Sequence, residues 1–320
     1  MQIAQHAAEL VQGLTGSPEG VARLAGAVGT LLPPLLRLVP GPAATSRAAL
    51  VALEPAVQRR LLELNAVGRC MDYVREKACV GREDLLVMLL ANLTALEAGA
   101  EALLQVGKGP LEGLHVAMLL KLFLAPVTPG AADTYEHVAT ILPNVTRFSA
   151  GRRLLLQPGR GLLQALASQL RSSSELRRCG CAGAMKNCCF SCEQDGTADD
   201  IAAETEALST ILDVLCGVTA KVADEPEREA LAEAVLCLAR VDSARKQLWK
   251  CDAPTLLQKG YEYEENPTVC ACMEGTAELF LADGFEPAPA DADGAAAGAG
   301  GEQQEPHGSS SSVVQIEEID

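Results

Sequence analysis

With 320 residues and 48% hydrophobic content, the chain can bury a sizeable core, yet only 3% of it is aromatic. Leucine and alanine carry most of the apolar content, whereas strands draw on β-branched and aromatic residues, so helix is the expected element. The net charge of -16 excludes nucleic acid as a partner, because a phosphate backbone needs a basic face.

At the start of the chain, His6, Glu9, Glu19 and Arg23 interrupt an amphipathic pattern. A charged start, apolar centre and cleavage site are all missing, so no export signal is expected. Pro33 to Ser46 reads as a proline-rich connector. Leu85, Leu86, Leu89, Leu90 and Leu93 then fall on one helical stripe. The longest aliphatic run, Leu85 to Ala91, ends at Asn92 and is far too short to cross a bilayer, so no membrane partner is expected.

The sequence repeats itself from here on. Met88-Leu-Leu-Ala-Asn92-Leu-Thr94 leads through Gly99 to Leu103-Leu104-Gln105, and Thr140-Ile-Leu-Pro-Asn144-Val-Thr146 leads through Gly151 to Leu155-Leu156-Gln157. A third head is Gly183-Ala-Met-Lys-Asn187-Cys-Cys189, and weaker copies run from Leu14 to Leu24 and from Leu236 to Leu248. The spacing between successive Asn residues approaches the period of armadillo and HEAT units, which consist of two or three helices. One such unit cannot hide its apolar face alone, and stacking several buries a continuous core. The expected fold is therefore all-α, an armadillo/HEAT-type α-α superhelix over residues 1–282. Residues 283–320 are Ala, Gly, Pro and Ser with nine acids and no Lys or Arg, and are expected to form a disordered acidic tail.

A polar amide at the same place in three aliphatic helices has two readings. Asn92, Asn144 and Asn187 can grip the backbone of a partner from a concave face, since an amide both donates and accepts. They can equally bridge neighbouring units, because most side-chain hydrogen bonds are local. The tripeptides beginning at Asn92 and Asn144 match glycosylation acceptors, but without an export signal they carry no meaning as such.

Twelve cysteines are placed among aliphatics in the manner of small core residues of a reducing compartment. Cys179, Cys181, Cys188, Cys189 and Cys192 supply enough thiols for zinc. Cys181, Met185, Cys188 and Cys192, however, share one helical stripe with no turn to fold ligands around an ion. A core seam is the favoured reading, and no metal is expected. Glu193 to Glu204 reads as an acidic loop. The four histidines, His6, His115, His137 and His307, sit in separate segments with no nucleophile motif beside them. Gly107-Lys108-Gly109 has Ala102 where a phosphate loop needs its first glycine. Neither an enzyme nor a cofactor is expected.

The chain ends in Ile316-Glu317-Glu318-Ile319-Asp320. This resembles the Ile-Glu-Glu-Val-Asp ending of cytosolic heat-shock protein 70, which tetratricopeptide carboxylate clamps capture. The expected partners of the tail are tetratricopeptide co-chaperones.

The run Arg177-Arg-Cys-Gly-Cys-Ala-Gly-Ala-Met-Lys-Asn-Cys-Cys-Phe190 resembles the central signature of the Hgh-type, brain-protein-16-like armadillo family. Ile141 to Pro158, Leu14 to Gly26 and Glu229 to Glu274 are similar to other stretches of that family. The resemblance implies a cytoplasmic co-chaperone for elongation factor 2 that brings this client to the chaperonin TRiC and to heat-shock protein 90, with no catalytic residue. Two features depart from the family: a shorter acidic segment after the signature, and the heat-shock-like ending. A nucleotide-exchange factor for heat-shock protein 70, also of armadillo type, is the second reading.

Overall fold

A computed structural model of the chain describes residues 55–78, 81, 83–128, 130–217 and 224–284, with positions 19, 20 and 23 near the start. The connector Pro33–Ser46, the weak copy Leu14–Leu24 apart from those three positions, and the tail beyond Gly284 lie outside the described residues. Among the described residues every regular element is a helix. In chain order these are α1 (Pro55–Glu63), α2 (Ala66–Arg75), α3 (Glu83–Thr94) and α4 (Glu97–Leu104). A 3-10 turn at Gly109–Leu111 leads to α5 (Leu114–Phe123), α6 (Val138–Thr146) and α7 (Ser149–Leu155). There follow α8 (Leu162–Gln169), α9 (Glu175–Phe190), α10 (Cys192–Asp195), α11 (Ala198–Ala203) and α12 (Thr205–Cys216). The last four are α13 (Glu225–Ala239), α14 (Asp242–Lys250), α15 (Ala253–Tyr261) and α16 (Pro267–Ala282).

The chain divides into two compact units, one of Met1–Leu155 with Gln169–Cys188, the other of Leu156–Ser168 with Cys189–Asp320. Helices three apart in the chain stack on each other within both. In the first unit α3 packs on α6, with α4 against both. In the second, α13 packs on α16, α12 on α15 and α11 on α14. This like-on-like stacking is what a three-helix repeat produces, because equivalent apolar stripes meet.

The predicted leucine stripe of α3 packs, and α12 carries a second one. Leu86, Leu89, Leu90 and Leu93 are buried on α3, and Leu208, Ile211, Leu212 and Leu215 on α12. Each such leucine contributes about 1.5–3 kcal/mol relative to an exposed position. Leu85, at the edge of its stripe, is only half-buried.

The turn from long helix to short helix recurs in detail. A Cβ on Gly99 would lie 1.9 Å from the Leu93 carbonyl oxygen, and one on Gly151 would lie 2.3 Å from that of Val145. Only glycine lets the short helix start that close to the end of the long one. One residue later, Arg152 is buried and its Nη1 donates to the carbonyls of Thr146 (3.0 Å) and Arg147 (2.8 Å). Arg245 repeats the device in the second unit, its Nη1 donating to Ala239 O at 2.6 Å. A cation on the last carbonyls of a helix satisfies acceptors that have no partner within it and opposes its negative end.

Two buried ion pairs hold longer connections. Arg177 Nε donates to Asp133 at 2.5 Å, its Nη1 to Phe123 O and Gln169 Oε1, and its guanidinium lies 4.2 Å from the Phe123 ring centroid. It thereby ties the segment between α5 and α6 to the start of α9. In the second unit the Arg228 fork meets Glu264 at 2.9 and 3.1 Å, and the two side chains are 7% and 3% exposed. Burial works to raise the Glu264 pKa, but hydrogen bonds from the Asn266 N–H and from Arg228 outweigh it and hold the carboxyl below its ordinary value.

Two expectations are corrected. Glu193 to Glu204 is not a loop: it forms most of α10 and all of α11, joined at Gly196 in the left-handed region (φ 68°). Ala198, Ile201 and Ala202 fall on one face and are buried, so apolar spacing prevails over the density of acids. Nor does one helix carry the whole cysteine stripe, since α9 stops at Phe190 and Cys192 opens α10. Cys181, Met185, Cys188 and Cys192 are nevertheless all buried, and the described cysteines form no disulfide.

Candidate protein-binding face

The three repeated asparagines lie near the C-terminal ends of α3, α6 and α9, each half-buried. All three belong to the first unit. Neighbouring helices approach closely here: a Cβ on Gly180 of α9 would sit 2.2 Å from the Ala139 carbonyl oxygen of α6. That contact holds α9 close to α6, the helix that the Asn187 amide reaches.

The amides bridge successive helices. Asn144 Nδ2 donates to Thr94 Oγ1 at 3.2 Å, and Thr94 Oγ1 donates in turn to Ala91 O at 3.0 Å. One repeat later, Asn187 Nδ2 donates to Thr146 Oγ1 at 3.0 Å and to Pro143 O at 2.9 Å. Thr146 Oγ1 then donates to Leu142 O at 2.8 Å. A hydroxyl can do both at once because it has one proton and two lone pairs. Arg147 fastens the same seam, reaching the α3-end carbonyls of Thr94 and Ala95 at 3.5 and 3.4 Å.

The two readings of the asparagines thus divide between the atoms of one amide. The Nδ2 group of Asn144 and Asn187 works internally, while Oδ1 of each has no donor among the described residues. Asn92 Oδ1 likewise has no donor and its Nδ2 no acceptor among the described residues, and its main-chain carbonyl accepts from Gln58 Nε2 at 3.4 Å. The long helices α3, α6 and α9 therefore each carry an amide oxygen in the same register, beside the exposed Met88, Thr140 and Arg147. Spaced acceptors of this kind suit the N–H groups of an extended chain.

Sequence reasoning missed Thr94 and Thr146, both 0% exposed. The signal was present as the two Asn-x-Thr tripeptides, whose recurrence has a packing cause. Asn187 is followed by Cys188-Cys189 and its place in the next long helix is taken by Cys237, so the ladder ends there. The tail residues Ile316 to Asp320 lie outside the described residues, as do His6 and His307. His115 is partly buried, which lowers its pKa, and His137 precedes α6. Cys216 is pushed up to about 12, chiefly by burial and then by Asp213. Among the described residues, no helix is long and apolar enough to cross a membrane.

Residues 78–248, over half of the chain, match a family model described as a domain of unknown function, DUF383. The relatives it resembles carry one name. It is 28% identical over 312 residues to the human protein HGH1 homolog, covering 85% of this chain and 76% of that one. To the protein HGH1 homolog of Xenopus tropicalis it is 26% identical over 308 residues, covering 88% and 84%. The chain belongs to the Hgh-type armadillo family. Solved structures agree on the fold. A designed armadillo repeat protein in complex with the peptide (KR)4 superposes with a TM-score of 0.60 at 17% identity, over 78% of this chain and all of that one. An engineered protein superposes with a TM-score of 0.67 at 16% identity, over 87% of this chain and 64% of that one. The fold of this Hgh-type chain is accordingly that of armadillo repeats.

Proposed function

We propose that this Hgh-type chain is a non-catalytic chaperone adaptor of the cytoplasm. Its long-helix face holds an extended or partly folded segment of elongation factor 2, which it delivers to the chaperonin TRiC and to heat-shock protein 90. The observation that carries this reading is the row of amide oxygens on Asn92, Asn144 and Asn187, in one register on the long helices α3, α6 and α9 and without a donor among the described residues. Family membership supports the choice of client. The likeness to a designed armadillo protein that holds a peptide supports the mode of binding. The tail ending at Asp320 serves as a second handle, recruiting tetratricopeptide co-chaperones.

The test uses purified elongation factor 2 and the full chain in a calorimetric titration. Among the described residues the Asn92 side chain makes no hydrogen bond, so Asn92→Ala removes a grip without breaking a bond of the described fold. The variant is expected to bind about tenfold more weakly, the equivalent of one charge-free hydrogen bond well made, with unchanged melting. Absence of binding by the wild-type chain would refute the client, and equal binding by the variant would refute the face. Deleting Ile316 to Asp320 is expected to abolish capture by an isolated carboxylate-clamp domain while leaving client binding intact.

A further inference from the structure

The last helix pair of the second unit leaves an open apolar groove. Between α15 and α16 lies a cavity of about 420 Å³, floored by Leu257, Met273 and Phe280. Phe280 is fully buried from behind and held edge-on by Trp249, with ring centroids 5.6 Å apart, so the floor is firm. The rim is exposed: Tyr261 is 41% and Leu281 49% accessible. In a repeat stack such a face is covered by the next repeat or made polar by a capping one. Here α16 is the last described helix, and among the described residues none covers the face or makes its floor polar.

The charges at the groove choose its occupant. Glu262 and Glu274 line it, and no lining residue is a cation. Glu278, one turn beyond Glu274 on α16, is exposed as well. The chain's own tail is a poor fit, because residues 283–320 hold nine acids and no Lys or Arg. A second copy of the same face would set these carboxylates against one another, and like charges directly opposed disfavour association.

We propose that the α15–α16 groove is a docking site for a partner protein's amphipathic segment, with apolar side chains entering over Leu257 and Met273 and flanking Lys or Arg residues meeting Glu262, Glu274 and Glu278. A groove of this volume accepts more than one apolar side chain and orients them by a few polar rim groups. It is the helix-in-groove mode, read by anchors on one helical face. Its position in the second unit makes it separate from the amide face of the first, so that one chain has two places for two polypeptides.

The probe is a fluorescein-labelled helix-forming peptide with Leu and Phe on one face and Lys and Arg on its flanks, titrated into the full chain by anisotropy. Its twin carries Glu at every basic position. The basic peptide is expected to bind more weakly as salt rises, and the acidic twin not to bind. Leu281→Ser and Glu274→Lys change exposed side chains, so both variants fold. Each is expected to weaken binding about tenfold, whereas Val106→Ser, an exposed apolar residue of the first unit (45% accessible), has no effect. Equal affinity for the acidic twin, or variants no weaker than Val106→Ser, would overturn the proposal. So would a self-association of the chain, seen by sedimentation, that Leu281→Ser abolishes.

Discussion

Replacing Thr146 by valine is the sharpest test of the amide ladder. The two side chains are nearly isosteric and differ little in helix propensity, so the substitution removes chemistry and leaves volume. Thr146 is 0% exposed, and both roles of its hydroxyl disappear: the bond it accepts from Asn187 at 3.0 Å, and the proton it donates to Leu142 O at 2.8 Å and shares with Pro143 O at 3.3 Å. Asn187 Nδ2 keeps Pro143 O, so no donor is stranded and the full desolvation penalty does not apply. The net loss is about 1–2 kcal/mol, a single buried bond being worth roughly 0.5–1.5 kcal/mol. For a domain of this size that lowers the melting temperature by roughly 3–6 °C. Thr94→Val removes the matching bonds one repeat earlier and is expected to cost at least as much, because Asn144 Nδ2 has no second acceptor among the described residues. Thr210 on α12 donates to Glu206 O at 2.8 Å in a more exposed setting and receives no asparagine. It is the control, and Thr210→Val is expected to be nearly neutral. The assay is differential scanning fluorimetry at fixed protein concentration. If Thr146→Val and Thr94→Val melt like Thr210→Val, the ladder holds nothing together and the reasoning fails.

Three further outcomes follow from the packing. Gly180→Ala places a methyl 2.2 Å from a backbone oxygen of α6, so the helices must part; a loss of about 1–3 kcal/mol in urea unfolding is expected, and an unchanged midpoint would show that the contact is slack. Arg228→Met strands the buried Glu264 carboxylate and is expected to cost about 3–5 kcal/mol, whereas the double variant with Glu264→Leu recovers much of it. Since the folded-state pKa of Glu264 lies below its ordinary value of 4.5, the stability it contributes is present above that value and is lost as pH falls through the lower folded pKa. Wild-type unfolding monitored from pH 6 to pH 3 should therefore steepen in that window more than for the double variant, and parallel curves would contradict this. Finally, the Cys216 thiol, pushed up to about 12, is expected to resist alkylation at pH 8 until the second unit unfolds; rapid labelling of the native chain would count against its burial.

Much of the architecture could be read from the sequence because repetition amplifies weak local signals. The leucines of α3 and α12 announce their helices, and the glycine after each Asn head, seen twice as Gly99 and Gly151, marks the turn to the next helix. What remained hidden depends on partners distant in the chain. Thr94 is meaningful only when Asn144 arrives, and Thr146 only when Asn187 does, so a local reading sees an acceptor tripeptide rather than half of a bond. The acids of residues 193–204 suggested a loop because charge is conspicuous, while Ala198, Ile201 and Ala202 form a short buried stripe that is easily overlooked. The roles of Arg152 and Arg245 leave no mark in the sequence, and only the turn geometry shows them closing the ends of long helices. The amide oxygens were legible as residues but not as atoms: that Asn144 and Asn187 spend Nδ2 internally depends on helix spacing.

The central claim is that the long-helix face carrying Asn92 receives a client polypeptide. A photo-crosslinking amino acid placed at Asn92 tests it most directly, with purified elongation factor 2 present, against the same group at the exposed Lys121 of α5. Crosslinks to the client from position 92, competed by unlabelled wild-type chain and absent from position 121, are the predicted result. Crosslinks from position 121 alone would contradict it.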